Sequence, residues 1–311
     1  VNQIYRPPTL KFKHSIKSYG GHWYRLVERL GRGGNSVVYL AVCTDGPYSN
    51  SLFAIKISLT DAHERRRKRF LNEIKFLKDH SHPNILNVVD SGQWIDLEHP
   101  DQPAFPFFVT EYLPQTLADV IRERSASTAE KAAYIMQLLS ALASLANLPG
   151  EVIHRDVKPQ NIFIAGKRCL LGDFGLMTQR SRCVEFDRGS MAESGNPQMP
   201  YFFRTPDLVR FERAATLLTS KSDVYQLGLV AAMLFTGRNP CIPSNDLLSN
   251  VELEPLDHIP GVQWKGIAGL INRMLTFAPE SRPSAQDLID PWREVFWDAA
   301  KLTIDVNGRV F

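Results

Sequence analysis

The feature that most constrains this chain of 311 residues is a change of hydrophobic period near Pro114. Before it, "HWYRLVERLG", "SVVYLAVC" and "LFAIKIS" are aromatic and β-branched runs parted by Gly, Asn and Asp turns, which predicts three antiparallel strands. One amphipathic segment follows, "AHERRRKRFLNEIKFLKDHS", with Phe70, Leu71, Ile74 and Leu77 at helical spacing and the proline of "HPNIL" to stop it. Two further apolar runs, "ILNVVDSGQWI" and "FPFFVTEYL", continue the sheet around an insertion at 96–106 that carries three prolines. Beyond Pro114 the period of 3.6 dominates in "TLADVIRER", "TAEKAAYIMQLLSALASLANL", "SDVYQLGLVAAMLFTG", "WKGIAGLINRMLTF" and "SAQDLIDPWREVFWDAA".

The predicted class is therefore α+β, a small antiparallel β-sheet with one main helix followed by a larger, mainly helical part. A single core rarely grows past roughly 250 residues, so two packed units suit this length. The expected divisions are an irregular extension at 1–21, a β-rich region at 22–111, a connection at 112–114, a helical region at 115–300 and a tail at 301–311. Such a connection is a natural place for a ligand cleft.

Composition narrows the function classes. With 44% hydrophobic and 22% charged residues the chain is neither disordered nor fibrous, and 36 Lys+Arg against 33 Asp+Glu leaves +3, which argues against a nucleic-acid partner. The basic run "HERRRKRF" leads straight into a helical pattern and reads as a solvated helix face rather than a patch for nucleic acid or anionic membrane. Cys43, Cys169, Cys183 and Cys241 lie far apart with no metal spacing, so free thiols in a reducing compartment, and hence a cytoplasmic location, are expected. The most apolar stretch, from Ala132, is interrupted by Gln137, Ser140, Ser144 and Asn147 and predicts a buried helix, not a membrane span. Val1 opens the chain without Met or a leader-like segment, so the start reads as a trimmed or processed end.

Three stretches carry candidate chemistry. "LGRGGNSVVYLA" places glycines at 31, 33 and 34, a pattern that alone fits either a Gly-rich hairpin or a phosphate cradle. "VIHRDVKPQNIFI" sets an acid, a lysine and an amide in a tight polar loop between apolar runs. After another strand-like run, "LGDFGL" offers a second aspartate, and two acids with an amide would suit Mg²⁺.

Together these segments resemble a eukaryotic-type protein kinase domain of the serine/threonine kind, from about Trp23 to about Ala300. The resemblance implies a two-lobed protein-kinase fold that transfers the γ-phosphate of ATP to Ser/Thr hydroxyls of protein substrates with Mg²⁺, two ions in the family. It implies that Gly31, Gly33 and Ser36 cover the ATP phosphates, Ser36 replacing the third glycine. Val38, Ala54, Thr110, Glu111, Leu113 and Phe163 would contact the nucleotide. Lys56 would hold the phosphates, oriented by Glu73. Asp156 would accept the hydroxyl proton, Lys158 steady the transferring group, and Asn161 and Asp173 bind metal. His154 and Phe174 would pack in a core spine, Asp223 brace the catalytic loop, and Arg282 pair with the acid of a "TPD" segment, Asp207.

The chain departs from the family pattern before Thr205, where the usual Gly-Thr is missing and Gly195 and Asn196 are displaced from register. That departure bears on the substrate-docking surface and keeps a second class open, a pseudokinase acting as a nucleotide-binding scaffold. A small-molecule phosphotransferase is a third class. Arg155 is expected to receive a phosphate on the activation segment through autophosphorylation of Thr178, Ser181, Ser190 or Ser194.

Overall fold

The computed structural model describes residues 14–33, 36–59, 64–95, 104–180, 201–214, 217–256 and 264–307, with side chains described except at 64, 65, 214, 264 and 302–307. Ser181, Ser190, Ser194, Cys183, Gly195, Asn196, most of the 96–106 insertion and the first part of the extension lie outside the described residues. The chain divides into two compact units, Val1–Ser81 with Leu86–Pro114, and His82–Ile85 with Gln115–Phe311.

The first unit holds an antiparallel sheet of β1 (Ser15–Lys17), β2 (Trp23–Arg32), β3 (Ser36–Cys43), β4 (Leu52–Ser58), β5 (Val88–Trp94) and β6 (Phe105–Glu111), in the order β1-β2-β3-β4-β6-β5. Alternation sorts its side chains. Val37, Tyr39, Ala41 and Cys43 of β3, Phe53, Ile55 and Ile57 of β4, and Phe105, Phe107 and Val109 of β6 form one buried cluster. Burial of each large apolar side chain contributes roughly 1.5–3 kcal/mol. The intervening residues fall on the opposite face, where the register sets Val38 beside Lys56, Lys56 beside Phe108 and Ala54 beside Thr110. Helix α1 (Glu64–Asp79) anchors through Phe70, whose ring lies 5.5 Å from that of Phe108, and through Lys78 Nζ, which donates to Ser91 Oγ at 2.7 Å.

β1 corrects the expectation of an irregular extension through Gly21. Its three residues pair with Trp23–Arg25, and with Ile16 alone buried among them there is no alternation to read.

In the second unit β7 (Gln115–Thr116) joins the hairpin of β9 (Ile162–Ala165) and β10 (Arg168–Leu171), while β8 (Val152–Ile153) pairs with β11 (Thr178–Gln179). Its helices are α2 (Leu117–Glu123), α3 (Thr128–Ala146), α4 (Pro206–Ala214), α5 (Lys221–Thr236), α6 (Trp264–Met274) and α7 (Ala285–Asn307). α3 starts with a capping box: Ser127 Oγ accepts from the Glu130 N–H, and Glu130 Oε2 accepts from the Ser127 N–H at 2.9 Å. α5 is buried on nearly every side, and Gly228 lets it approach its neighbour, because an added Cβ there would meet Leu275 Cδ2 at 2.9 Å. α4 was not expected, although Leu208, Val209 and Phe211 give it a buried face; α7 runs on through Pro291 to Asn307, past the expected start of the tail. Among the described residues no helix is long and apolar enough to cross a membrane.

Candidate active site

In the first unit, the helical spacing that turns Phe70, Ile74 and Leu77 inward also buries Glu73, whose side chain is only 1% exposed. A buried carboxylate needs a partner. Lys56 Nζ supplies it, donating to Oε1 at 2.8 Å and Oε2 at 3.1 Å, with the Phe108 ring centroid 5.6 Å from the ammonium. Val38, Ala54 and Thr110 share the sheet face of Lys56. Thr110 is buried, Glu111 is exposed at the end of β6 and Leu113 is half-buried.

Gly31 lies near the end of β2, and the Gly33 N–H donates to the Ser36 carbonyl at 2.8 Å to close the turn. Neither glycine has a positive φ, and a Cβ added at Gly31 would meet no described atom within 4 Å. The packing of the unit does not itself require a glycine there.

In the second unit the polar loop is held from below by one helix. Asp223 Oδ2 accepts from the His154 N–H at 2.7 Å and Oδ1 from the Arg155 N–H at 2.8 Å. One helical turn later Gln226 accepts from the Val157 N–H at 2.9 Å and donates to the Arg155 and Phe203 carbonyls at 3.0 Å each. His154 Nδ1 accepts from the Asp156 N–H, which leaves Nε2 to donate to the Gly172 carbonyl at 3.1 Å, and its ring stands edge-on to Phe174 at 4.5 Å. The His154 and Phe174 side chains thus pack as expected.

The groups on the loop converge. Lys158 Nζ lies 3.0 and 2.7 Å from the two carboxylate oxygens of Asp156, and Asn161 Nδ2 donates to Asp156 Oδ2 at 2.9 Å. Burial raises the Asp156 pKa above the ordinary carboxylate value; Lys158 opposes that shift and the negative charge of Asp173 adds to it. With its amide nitrogen engaged, Asn161 turns Oδ1 into its remaining acceptor, and the exposed Asp173 stands two residues after Leu171, at φ 57°. Arg155 also has a positive φ, 70°. Non-glycine residues in this region cost about 1–3 kcal/mol each and cluster at functional sites. Oxygen donors of this kind fit Mg²⁺.

Phe163 is half-buried on β9, paired with Leu170 and Thr116. Arg282 Nη1 donates to Asp207 Oδ2 at 2.6 Å, the expected pair. Arg155 already has an acid: Glu212 of α4 lies 3.6 Å from its guanidinium, and the Phe211 ring centroid 5.7 Å from it. Thr178 is half-buried in β11. Sequence reasoning missed Gln226 and Glu212. Gln226 sits three residues after Asp223 on one helix face, a spacing that could have flagged it; nothing local marks Glu212.

The protein kinase domain family model matches residues 24–292, and the chain belongs to that family. Among curated relatives, a probable serine/threonine-protein kinase of Clostridium perfringens is 30% identical over 71% of this chain and 30% of its own length. Serine/threonine-protein kinase pkn2 of Myxococcus xanthus is 28% identical over 86% of this chain and 32% of its own length, and serine/threonine-protein kinase cds1 of Schizosaccharomyces pombe 30% identical over 90% and 60%. The chain spans about a third of the length of the first two.

Proposed function

We propose that this chain is an ATP-dependent serine/threonine protein kinase of the two-lobed fold, with 22–111 and 115–300 as lobes and 112–114 as hinge. The observation that carries the proposal is the Asp156–Lys158–Asn161 cluster, a raised-pKa carboxylate in contact with a cation and an amide on a loop braced by Asp223 and Gln226. Asp156 takes the proton of the acceptor hydroxyl as the hydroxyl oxygen bonds to the γ-phosphorus and the bond from that phosphorus to the β–γ bridging oxygen breaks, releasing ADP; the raised pKa makes Asp156 a stronger base. Lys158, already against that carboxylate, is placed to balance charge on the transferring group.

Lys56, oriented by Glu73, would hold the nucleotide phosphates, with Gly31, Gly33 and Ser36 covering them; the open space at Gly31 supports a close approach of backbone to ligand. Val38, Ala54, Thr110, Glu111, Leu113 and Phe163 would contact the base. Asn161 and Asp173 would hold Mg²⁺, as two ions, which neutralises phosphate charge when bound. Substrates are proteins bearing Ser or Thr. Self-phosphorylation belongs to the same reading, and a phosphate on the activation segment would meet Arg155 beside Glu212, which lies 3.6 Å from its guanidinium. Cytoplasmic residence fits the free thiols Cys43, Cys169 and Cys241.

Incubation with γ-labelled Mg-ATP and a generic protein substrate, followed by phosphoamino-acid analysis, tests this. Label on serine and threonine is expected. Nucleotide binding with no label on any residue supports the pseudokinase instead, and label on tyrosine alone overturns the residue class.

A further inference from the structure

Away from the candidate active site, the first unit brings together three side chains that its kinase chemistry does not use. His22 precedes β2, Cys43 ends β3 and Asp45 begins the turn toward β4. One donor atom from each lies within 4.8 Å of the other two. His22 Nδ1 stands 3.5 Å from Asp45 Oδ1, and Cys43 Sγ 3.8 Å from the same oxygen. Donors bound at about 2.0–2.3 Å around a tetrahedral zinc-class ion are separated by roughly 3.3–3.8 Å, so two edges of such a site are already at the required length.

The cluster is pre-positioned. The Trp23 N–H donates to Asp45 Oδ1 at 3.0 Å, the Thr44 N–H donates to the Trp23 carbonyl at 2.8 Å, and the Tyr48 ring stands edge-on to His22 at 5.8 Å. Gly46, at φ +64°, gives the imidazole its place, since a Cβ there would meet His22 Cε1 at 2.7 Å. Cys43 is buried, while the side chains of His22 and Asp45 are 25% and 39% exposed. The sulfur is buried and the two rim ligands are partly open to solvent.

We propose that His22, Cys43 and Asp45 bind one zinc-class divalent cation. On binding, the Cys43 thiol releases its proton to solvent, the His22 imidazole donates the lone pair of a neutral ring, and Asp45 contributes a carboxylate oxygen, so thiolate and carboxylate cancel the charge of the ion. A set of S, N and O ligands selects Zn²⁺ over Mg²⁺, which prefers oxygen alone. The site is separate from the nucleotide residues on two counts. Cys43 belongs to the buried face of the sheet, opposite Val38 and Lys56, and is five residues along β3 from Val38, about 17 Å at strand rise. The ion staples the end of the β2–β3 hairpin remote from the glycine-rich turn.

Cobalt(II) titration tests this, in the chain carrying Cys183→Ser so that the thiol outside the described residues cannot contribute. One equivalent of Co²⁺ should give a thiolate-to-cobalt charge-transfer band, displaced by Zn²⁺, and the band should vanish with Cys43→Ser. His22→Gln and Asp45→Asn, both at the rim, should each weaken binding at least tenfold while far-ultraviolet circular dichroism stays native. They decide the matter if Cys43→Ser fails to fold. Absence of the band, its survival without Cys43, or rim variants that bind as well as the parent overturns the proposal.

Discussion

Lys56–Glu73 in the first unit and Arg282–Asp207 in the second are both cation–carboxylate pairs with a buried acid, yet they are built differently. The Arg282 fork bonds on all three nitrogens: besides Asp207, Nη1 reaches the Lys221 carbonyl at 2.6 Å, Nε the Thr276 carbonyl at 2.8 Å and Nη2 the Phe277 carbonyl at 3.2 Å. Its plane also lies 4.9 Å from the Tyr225 ring centroid. Lys56 donates to both oxygens of one carboxylate, with the Phe70 and Phe108 rings beside its ammonium. A rigid guanidinium held by one carboxylate and three carbonyls bolts α4, α5 and the 276–277 turn together. A flexible ammonium can be re-aimed at an anion.

This contrast has measurable consequences. The largest is Arg282→Ala, which strands a buried carboxylate and three carbonyls and should cost about 3–5 kcal/mol in urea unfolding; a loss under about 1 kcal/mol would break the contrast. Lys56→Met should lower phosphoryl transfer about 10²–10³-fold. Its stability cost should be smaller than that of Arg282→Ala, since it leaves one carboxylate without its cation rather than a carboxylate and three carbonyls; equal stability losses with transfer intact would reverse the assignment. Gly228→Ala, which crowds Met274 and Leu275, should destabilise by about 1–3 kcal/mol without changing nucleotide affinity, as calorimetry can check.

The effect that is smallest per step, because it is spread over several pH units, is a pH slope. Burial raises the Asp223 pKa to about 7, against the accepting bonds from His154 and Arg155 that favour its charge. Between the unfolded value near 4 and that raised value, the folded chain keeps a proton that the unfolded chain has lost. Stability from this group is therefore full at the acid end and falls as pH rises to about 7, by at most about 1.4 kcal/mol per pH unit. Asp223→Asn should flatten the slope in denaturation series across this window. A slope that survives the substitution would assign it elsewhere.

The polar loop of the candidate site was legible because its members are contiguous. "HRDVKPQN" carries an acid, a lysine and an amide within six residues, and their spacing in the chain nearly dictates that they meet. The strands β2 to β4 announce themselves by alternation and β5 and β6 as apolar runs, and the register puts Val38, Ala54, Lys56 and Thr110 on one face. What escaped is long-range or short. Glu212 meets Arg155 across 57 residues of chain, a pairing no local pattern encodes. Gln226 shows only through its i, i+3 spacing from Asp223 in an otherwise apolar helix, a signal that went unused, and β1 has too few residues to show a period. α4 begins at the proline inside the "TPD" segment, which was read only for its acid, so its buried face went unread.

The most direct test of the central claim is intact-mass measurement of the chain and a protein substrate after Mg-ATP, with Asp156→Asn alongside. Phosphate added by the parent and lost in the variant, while the variant still binds nucleotide, is the expected result. Equal phosphate incorporation by the variant would contradict the assignment of Asp156 as the proton acceptor and, with it, this account of the site.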